Sequence, residues 1–169
     1  MDDVSTAMYE PIHEGRSQMR SLTTLFLVLS LSVWASAIAQ GDINPADEVR
    51  AVVEASYING AFNALDPDAM KSGFHPDFAI FSADGEQIKK YPIGEWVAGV
   101  TKKKASPDFD PANNVWEHKL PIIEVTGGAA SVKVELYRNG TLVFTDYLSL
   151  LKFDSGWRIV AKVYHKHEH

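Results

Sequence analysis

The chain has 169 residues, of which 46% are hydrophobic and 22% charged, so its length and composition fit one globular domain. Its formal net charge of −6 argues against nucleic-acid binding, because phosphate contacts need a basic surface. The sequence has no cysteine, which excludes disulfides, thiolate metal sites and a cysteine nucleophile.

Residues 19–39 have the pattern of a secretory signal peptide. They begin with Met19-Arg20, continue through an apolar run at 25–34 and end in the small-x-small pattern Ala37-Ile38-Ala39. The apolar run is shorter than the roughly 20 residues of a membrane span. We therefore predict a secreted or periplasmic protein, with an uncleaved membrane anchor as the alternative. Residues 1–18 are a polar N-terminal extension with two interpretations: translation from Met19 would omit it, or it is a long n-region of the signal peptide.

The mature part of the chain, residues 40–169, begins with two helical patterns. Asn44-Pro45 supplies an N-cap and a first-turn proline. Apolar and small residues then recur every three to four positions from Val49 to Ala61, which predicts one buried helical stripe. Asp66-Pro67 repeats the start signal, and Gly73 ends a short second helix.

A short strand and a third helix follow. The strand is predicted over residues 78–82, with a turn at Asp84-Gly85 and a candidate return strand over 86–90. Pro92 begins a third helix, followed by a Pro/Asp/Asn-rich loop at 106–113. The side chains of this helix predicted to face inward are Ile93, Trp96, Val97 and Val100.

The C-terminal part reads as an antiparallel meander of four strands, at residues 115–125, 130–138, 141–153 and 157–165. Asn139-Gly140 is a strong hairpin signal, because a type I′ turn needs positive φ at both central residues. Helices that precede such a meander predict an α+β fold. Residues 147–151, Tyr-Leu-Ser-Leu-Leu, are apolar on both faces of their strand. We therefore predict a homodimer packed through the sheet.

The segment 145–164 resembles the putative lumazine-binding family of the nuclear-transport-factor-2-like superfamily. Asp-Tyr-Leu-Ser-Leu-Leu-Lys and Gly-Trp-Arg-Ile-Val carry the match, and the resemblance extends over about residues 46–166. It implies a cone-shaped fold in which N-terminal helices pack on a strongly curved antiparallel sheet around a pocket. The superfamily includes isomerases, dehydratases, polyketide cyclases and non-catalytic binding proteins, so the resemblance implies a fold and not one chemistry.

Two residues are candidates for proton transfer. Asp146 lies in mid-strand among apolar side chains, where desolvation raises a carboxyl pKa. The competing interpretation, which we favour, is a structural acid paired with Lys162 or Lys152. His75 follows the second helix at the mouth of the predicted pocket and is a candidate general base. The alternative for His75 is a cap of the helix end.

The aromatic side chains suit a small planar or apolar ligand. Tyr57 and Trp96 come from the helices that cover the sheet, and Tyr57 or Tyr164 is the candidate hydrogen-bond donor to a developing oxyanion. His118 shares a predicted strand face with Trp116, Leu120 and Ile122, although a lone strand histidine is more often structural. The candidate ligand-binding residues are Tyr57, Trp96, Trp116, His118, Tyr164 and Lys162.

The sequence indicates no cofactor and no metal site. His165, His167 and His169 alternate at the C-terminus, where a frayed tail is the favoured interpretation. Three functions remain open. The first is an exported, non-catalytic ligand-binding domain. The second is an isomerase- or dehydratase-like enzyme with Asp146 or His75 as base. The third is a dimeric interaction module whose cone is filled by Phe62, Phe74 and Phe81.

Overall fold

The computed structural model describes residues 44–168 of the chain. The predicted signal segment, the N-terminal extension and His169 lie outside the described residues. The described elements, in chain order, are α1 (Pro45–Val52), a π-helical segment (Val53–Asn63), α2 (Pro67–Gly73), β1 (Phe74–Asp84), β2 (Gln87–Pro92), α3 (Ile93–Lys104), a 3₁₀ turn (Pro111–Asn113), β3 (Glu117–Thr126), β4 (Ala129–Arg138), β5 (Thr141–Phe153) and β6 (Gly156–Lys166).

The first helix begins as its sequence predicts and then changes its hydrogen-bond pattern. The side chain of Asn44 accepts a bond from the backbone N–H of Ala46 at 3.1 Å. From Val53 the helix is π-helical, and the N–H of Ala64 donates five residues back to the carbonyl of Asn59. The sequence pattern predicted the buried stripe correctly, but it did not predict this wider turn.

The second helix packs closely against the π-helical segment. Asp66 caps it by accepting bonds from the backbone N–H groups of Asp68 and Ala69. At its end, a Cβ on Gly73 would lie 2.0 Å from Oγ of Ser56 and 2.3 Å from its Cβ. Glycine at this position is therefore required by the distance between the two helices.

The six strands form one curved, open sheet in the order β2-β1-β6-β5-β4-β3. The predicted meander β3 to β6 is antiparallel throughout, whereas β1 pairs with β6 in parallel. This parallel pair makes the sheet mixed, a feature that the sequence did not predict. Each antiparallel pair of the meander contains one register shift, and such irregularities bend a sheet.

The turns and most strand boundaries agree with the sequence. Asn139 and Gly140 have φ angles of 52° and 74°, as a type I′ hairpin requires. The return strand β2 is present, and β1 is longer than predicted. Strand β3 differs in one respect, because its register shifts between Lys119 and Ile122, across Pro121. Proline cannot donate to the ladder, and after this irregularity Ile122 is exposed instead of facing inward with His118.

The sheet has two different faces. The inner face carries Val132, Val134, Leu148, Leu150 and Ile159, which are buried together with side chains of the helices. The outer face carries the alternating side chains of the same strands. These include exposed apolar residues, namely Ile122, Tyr147 and Val163.

No helix within residues 44–168 is long and apolar enough to cross a bilayer.

Candidate functional site

A lysine, a carboxylate and a tyrosine meet beneath the inner face of the sheet. The hydroxyl of Tyr57 donates to Oδ2 of Asp146 at 2.5 Å. Nζ of Lys162 donates to the same hydroxyl at 2.7 Å and lies 3.0 Å from Oδ1 of Asp146. Tyr57 and Asp146 are fully buried, and Lys162 is 5% exposed. We call these three residues the inner trio.

Strand pairing and the π-helical segment position the inner trio. Asp146 on β5 pairs with Tyr164 on β6, and the next residue pair on the same face is Leu148 with Lys162. Lys162 therefore lies one pair along the ladder from Asp146, within reach of its carboxylate. Tyr57 comes from the buried side of the π-helical segment and completes the trio across 89 residues of sequence.

The inner trio has an electrostatic character set by burial. Burial lowers the pKa of the Lys162 ammonium, and the negative charge of Asp146 opposes this shift. Burial also raises the pKa of Tyr57 well above its usual range, with a further contribution from Asp146. The tyrosine is therefore a neutral donor, and the lysine is desolvated but paired.

Four aromatic rings surround the ammonium of Lys162. Nζ lies 5.1 Å from the ring centroids of Tyr57 and Tyr164, 5.4 Å from Trp96 and 5.7 Å from Phe62. Rings at these distances attract a cation through their negative faces. The aromatic side chains thus stabilise a positive charge that burial has largely removed from water.

A cavity of about 370 Å³ is lined by Lys162 and by three of these four rings. We call it the aromatic pocket, and its size is that of a small-molecule site. Lys162 lines it, whereas Tyr57 and Asp146 lie behind the lysine. The residues that line the pocket are Phe62, Ile80, Ser82, Lys89, Tyr91, Trp96, Phe144, Lys162 and Tyr164.

Three of the candidate ligand-binding residues line the aromatic pocket, namely Trp96, Tyr164 and Lys162. Trp116 packs behind the pocket, 5.4 Å from Phe62 and 6.0 Å from Phe144 between ring centroids. Its buried Nε1 has no hydrogen-bond partner among residues 44–168. Tyr57 is fully buried and can reach a ligand only through Lys162.

The two candidate histidines lie outside the aromatic pocket. His118 is half-buried on β3 and pairs with Leu136. His75 is the second residue of β1 and is stacked on Phe153 at 4.9 Å. It lines a separate apolar groove with Phe74, Ile93 and other residues. The structure therefore does not bring His75 together with Asp146, and its prediction as a base at the pocket mouth is not supported by this placement.

The predicted carboxylate pairing is present with Lys162. The other candidate, Lys152, instead bonds to Glu48 at 2.9 Å on the surface. Several pocket residues were missed from the sequence, including Lys89 and Tyr91 on β2 and Ile80 and Ser82 on β1. Their alternation on two paired strands was a usable signal, but the curvature that turns those strands over the pocket is not a local property.

Two of the three C-terminal histidines, His165 and His167, lie within the described residues. His167 contacts Oγ1 of Thr145 through Nε2 at 3.0 Å, and its ring packs edge-to-face against His165. Within residues 44–168, no group of three or more histidine and acidic side chains is arranged to hold a metal ion.

The model of the putative lumazine-binding family matches residues 44–165, which include every strand of the sheet up to β6. The chain belongs to the putative lumazine-binding family. Aldolase FrzH from Cladobotryum sp is 31% identical over 99 residues, a match that covers 57% of this chain and 73% of the relative. This lumazine-binding family member is thus also similar to a protein named for catalysis.

Solved structures agree with the fold of this lumazine-binding family member. An NTF2-like protein from Shewanella baltica has a TM-score of 0.57 and 26% identity, and the match covers 75% of this chain and 99% of that one. An NTF2-like protein from Methylobacillus flagellatus has a TM-score of 0.53 and 28% identity, with 72% and 91% covered. Both neighbours support the predicted α+β class and the NTF2-like superfamily.

Proposed function

We propose that this domain binds a small planar ligand reversibly in the aromatic pocket and releases it unchanged. One observation carries the proposal: the buried Lys162 lines a pocket together with the aromatic rings that surround its ammonium. Aromatic walls favour a flat ring system, and the ammonium favours a carbonyl or ionised enol oxygen on its edge. A ligand of the lumazine type has both features, in keeping with the name of the family.

The burial of Asp146 supports binding over direct proton transfer. A general base must reach the proton it removes, directly or through one water. The carboxylate of Asp146 is fully buried and engaged by Tyr57 and Lys162, so a ligand in the pocket meets the lysine first. The isomerase- or dehydratase-like alternative therefore depends on relay through Lys162 and Tyr57.

Catalysis is the second candidate function, and a specific observation favours it. The inner trio combines an amine, a hydroxyl and a carboxylate within 3.0 Å of one another, which is suitable for moving protons. The relative at 31% identity is named an aldolase. If catalysis is the function, we expect Asp146→Asn to abolish turnover at a temperature at which circular dichroism shows that the variant is still folded.

Two further parts of the proposal concern location and assembly. We propose export, on the signal-like pattern of residues 19–39. We also propose a homodimer through the outer face, where Tyr147 and Val163 are about half exposed on paired strands. Apolar residues clustered on one sheet face are typical of an interface.

The third candidate function, an interaction module whose cone is filled by its own side chains, is disfavoured. Of the three phenylalanines predicted to fill the cone, only Phe74 is buried in the core, whereas Phe62 lines an open pocket.

The first experiment is native mass spectrometry of residues 40–169, repeated after denaturation to release a bound small molecule. Retained mass would support the pocket and identify its ligand. Thermal shift and fluorescence titration with lumazine and flavins then measure affinity. A clean protein that responds to none of these ligands would contradict the binding function and favour the interaction module.

Two tyrosines on neighbouring strands provide matched variants. Tyr164→Ala removes a pocket wall, and we expect it to weaken ligand binding by about tenfold, the value of one good ring contact. Tyr147→Lys alters the outer face, and we expect it to leave ligand binding intact while reducing the particle mass to that of a monomer. Loss of ligand binding in both variants, or a wild-type monomer, would contradict this division between the two faces.

A further inference from the structure

We propose that Lys162 forms an imine with a carbonyl compound held in the aromatic pocket. The inference rests on the proposed small-molecule pocket, and it names the ligand class as an aldehyde or ketone on a planar aromatic body. In the imine, the carbonyl carbon of the ligand is bound covalently and reversibly to Nζ of Lys162. The residues that carry it are Lys162 as nucleophile and Tyr57 and Asp146 as the groups that handle protons.

The position of Lys162 distinguishes it from an ordinary surface lysine. Lys162 lines the pocket although it is 5% exposed, and the rings of Phe62, Trp96 and Tyr164, which lie within 5.7 Å of its Nζ, line the same pocket, so Nζ lies beside the pocket in a desolvated position. An amine must be neutral to attack, and desolvation in an apolar pocket is one of the ways in which proteins activate lysine. The burial-lowered pKa of Lys162 agrees with this requirement.

The inner trio can balance the protons of the reaction. The ammonium first gives one proton to Asp146, whose Oδ1 is 3.0 Å away, and becomes a neutral amine. The nitrogen lone pair then forms a C–N bond while the C=O π electrons move to the ligand oxygen. Tyr57, which lies 2.5 Å from Asp146 and 2.7 Å from Nζ, relays the stored proton from Asp146 to this oxygen.

Loss of water completes the imine. The second proton of the amine passes to the hydroxyl group of the carbinolamine through Tyr57, and the C–O bond breaks as water leaves. The net change is ammonium plus carbonyl compound to protonated imine plus water, and Asp146 ends as the carboxylate. The product retains the positive charge of the lysine, and the four rings around Nζ stabilise a cation there.

Two other lysines provide internal controls. Lys89 also lines the aromatic pocket, but it is exposed on β2. Lys133 on the outer face has a carboxylate at the same distance as Lys162, 3.0 Å to Glu135, and its pKa is raised instead of lowered. If proximity to the pocket or to an acid were sufficient, these lysines would react as readily as Lys162.

The test is reductive trapping. Residues 40–169 are incubated at neutral pH with 2-naphthaldehyde and sodium cyanoborohydride, and the modified lysines are mapped by peptide mass spectrometry. We expect the adduct on Lys162 to exceed that on Lys89 or Lys133 by at least about tenfold, because only Lys162 is both buried against the pocket and bonded to Tyr57 and Asp146. Equal labelling of the three lysines, or labelling that spares Lys162, would overturn the inference.

Variants separate this inference from the proposed function. Tyr57→Phe keeps the ring and the Lys162–Asp146 pair, and at a saturating aldehyde concentration we expect trapping on Lys162 to be about a hundredfold slower than in the unchanged protein. Lys162→Met removes the amine, and its folding is checked by circular dichroism. Lumazine binding with no adduct on Lys162 would refute the imine and leave the binding function standing. Neither binding nor adduct would refute both.

Discussion

The two faces of the sheet carry the same three chemical groups in opposite environments. On the outer face, Nζ of Lys133 lies 3.0 Å from Glu135, and the hydroxyl of Tyr137 donates to the same carboxylate at 2.8 Å. We call these residues the outer trio. In the inner trio, the lysine is likewise 3.0 Å from its carboxylate, which accepts a bond from Tyr57.

The difference between the trios is burial, and it reverses the shift of the lysine pKa. The pKa of Lys133 is raised, and its hydrogen bond to Glu135 is the largest cause. Both side chains are partly exposed to water, so desolvation does not outweigh this bond. The pKa of Lys162 is lowered, because desolvation there outweighs the attraction of Asp146. A lysine beside an acid is thus a stable surface cation on one face and a candidate reactive amine on the other.

The largest expected effect comes from removing one carboxylate from each trio. Asp146→Asn leaves the Lys162 ammonium buried without its partner charge, and we expect a loss of about 3–5 kcal/mol in the free energy of unfolding. Glu135→Gln affects a partly solvated pair, and we expect a loss of about 0–1 kcal/mol. Urea denaturation of both variants measures the difference.

The compensated double variant serves as a control for this comparison. Asp146→Leu combined with Lys162→Met replaces the buried pair with apolar groups, and we expect it to be more stable than Asp146→Asn. Equal losses in Asp146→Asn and Glu135→Gln would show that burial does not separate the two trios.

The next largest loss of stability is expected where α2 contacts the π-helical segment beneath the inner face. Gly73→Ala places a Cβ 2.0 Å from Oγ of Ser56, so the two helices must move apart, and we expect about 1–3 kcal/mol of destabilisation. Gly94→Ala in α3 meets no atom within 4 Å and is the matched control. We expect no loss of stability there, since alanine is the better helix former. An unchanged melting temperature for Gly73→Ala would mean that α2 and the π-helical segment are loosely packed against each other. Thermal unfolding measures both variants.

The pKa values of the two lysines test the comparison directly. Nitrogen-detected NMR of the lysine side chains should give a pKa below 10.5 for Lys162 and above 10.5 for Lys133. Between its folded pKa and 10.5, Lys162 holds fewer protons when folded, so its contribution to stability rises with pH. The contribution of Lys133 is present below 10.5 and is lost as pH rises through its folded pKa. The same order of titration for both lysines would contradict the opposite shifts.

The smallest expected effect is at a third, surface carboxylate. Glu48 accepts bonds from Lys152 at 2.9 Å and from Trp157 at 3.0 Å, and these contacts lower its pKa. Its contribution to stability is present above pH 4.5 and is lost as pH falls through the folded pKa. We expect Glu48→Gln to flatten the acid limb of the stability curve slightly. A change as large as that of Asp146→Asn would show that exposure has little influence on these pairs.

Much of the fold was predictable because its signals are local. A carboxylate or amide followed by proline marks the starts of α1 and α2, and Asn139-Gly140 favours the type I′ hairpin that the structure contains. Alternation along β4 and β5 indicates which side chains face inward, Asp146 among them. The family resemblance added the curved sheet and the pocket, and the matched family confirms the assignment.

The site was predictable only in part, because its members come from distant elements. Lys162 and Asp146 are near neighbours in a meander whose register the turns set, so their pairing could be inferred. Lys89 and Tyr91 reach the aromatic pocket because β2 lies beyond the β1–β6 parallel pair. No local pattern shows that a strand from the first half of the chain inserts beside the last one.

The sequence by itself determined the helix starts, the tight turns, the alternation of the meander and the presence of a lysine partner for Asp146, since each depends on backbone geometry or on close neighbours in a ladder. Tertiary structure decided the rest. The irregularity across Pro121 exposed Ile122, the π-helical segment carried Tyr57 to Asp146, and the curvature opened the aromatic pocket above Lys162. These features arise from contacts between residues far apart in sequence, where packing and desolvation outweigh local preference.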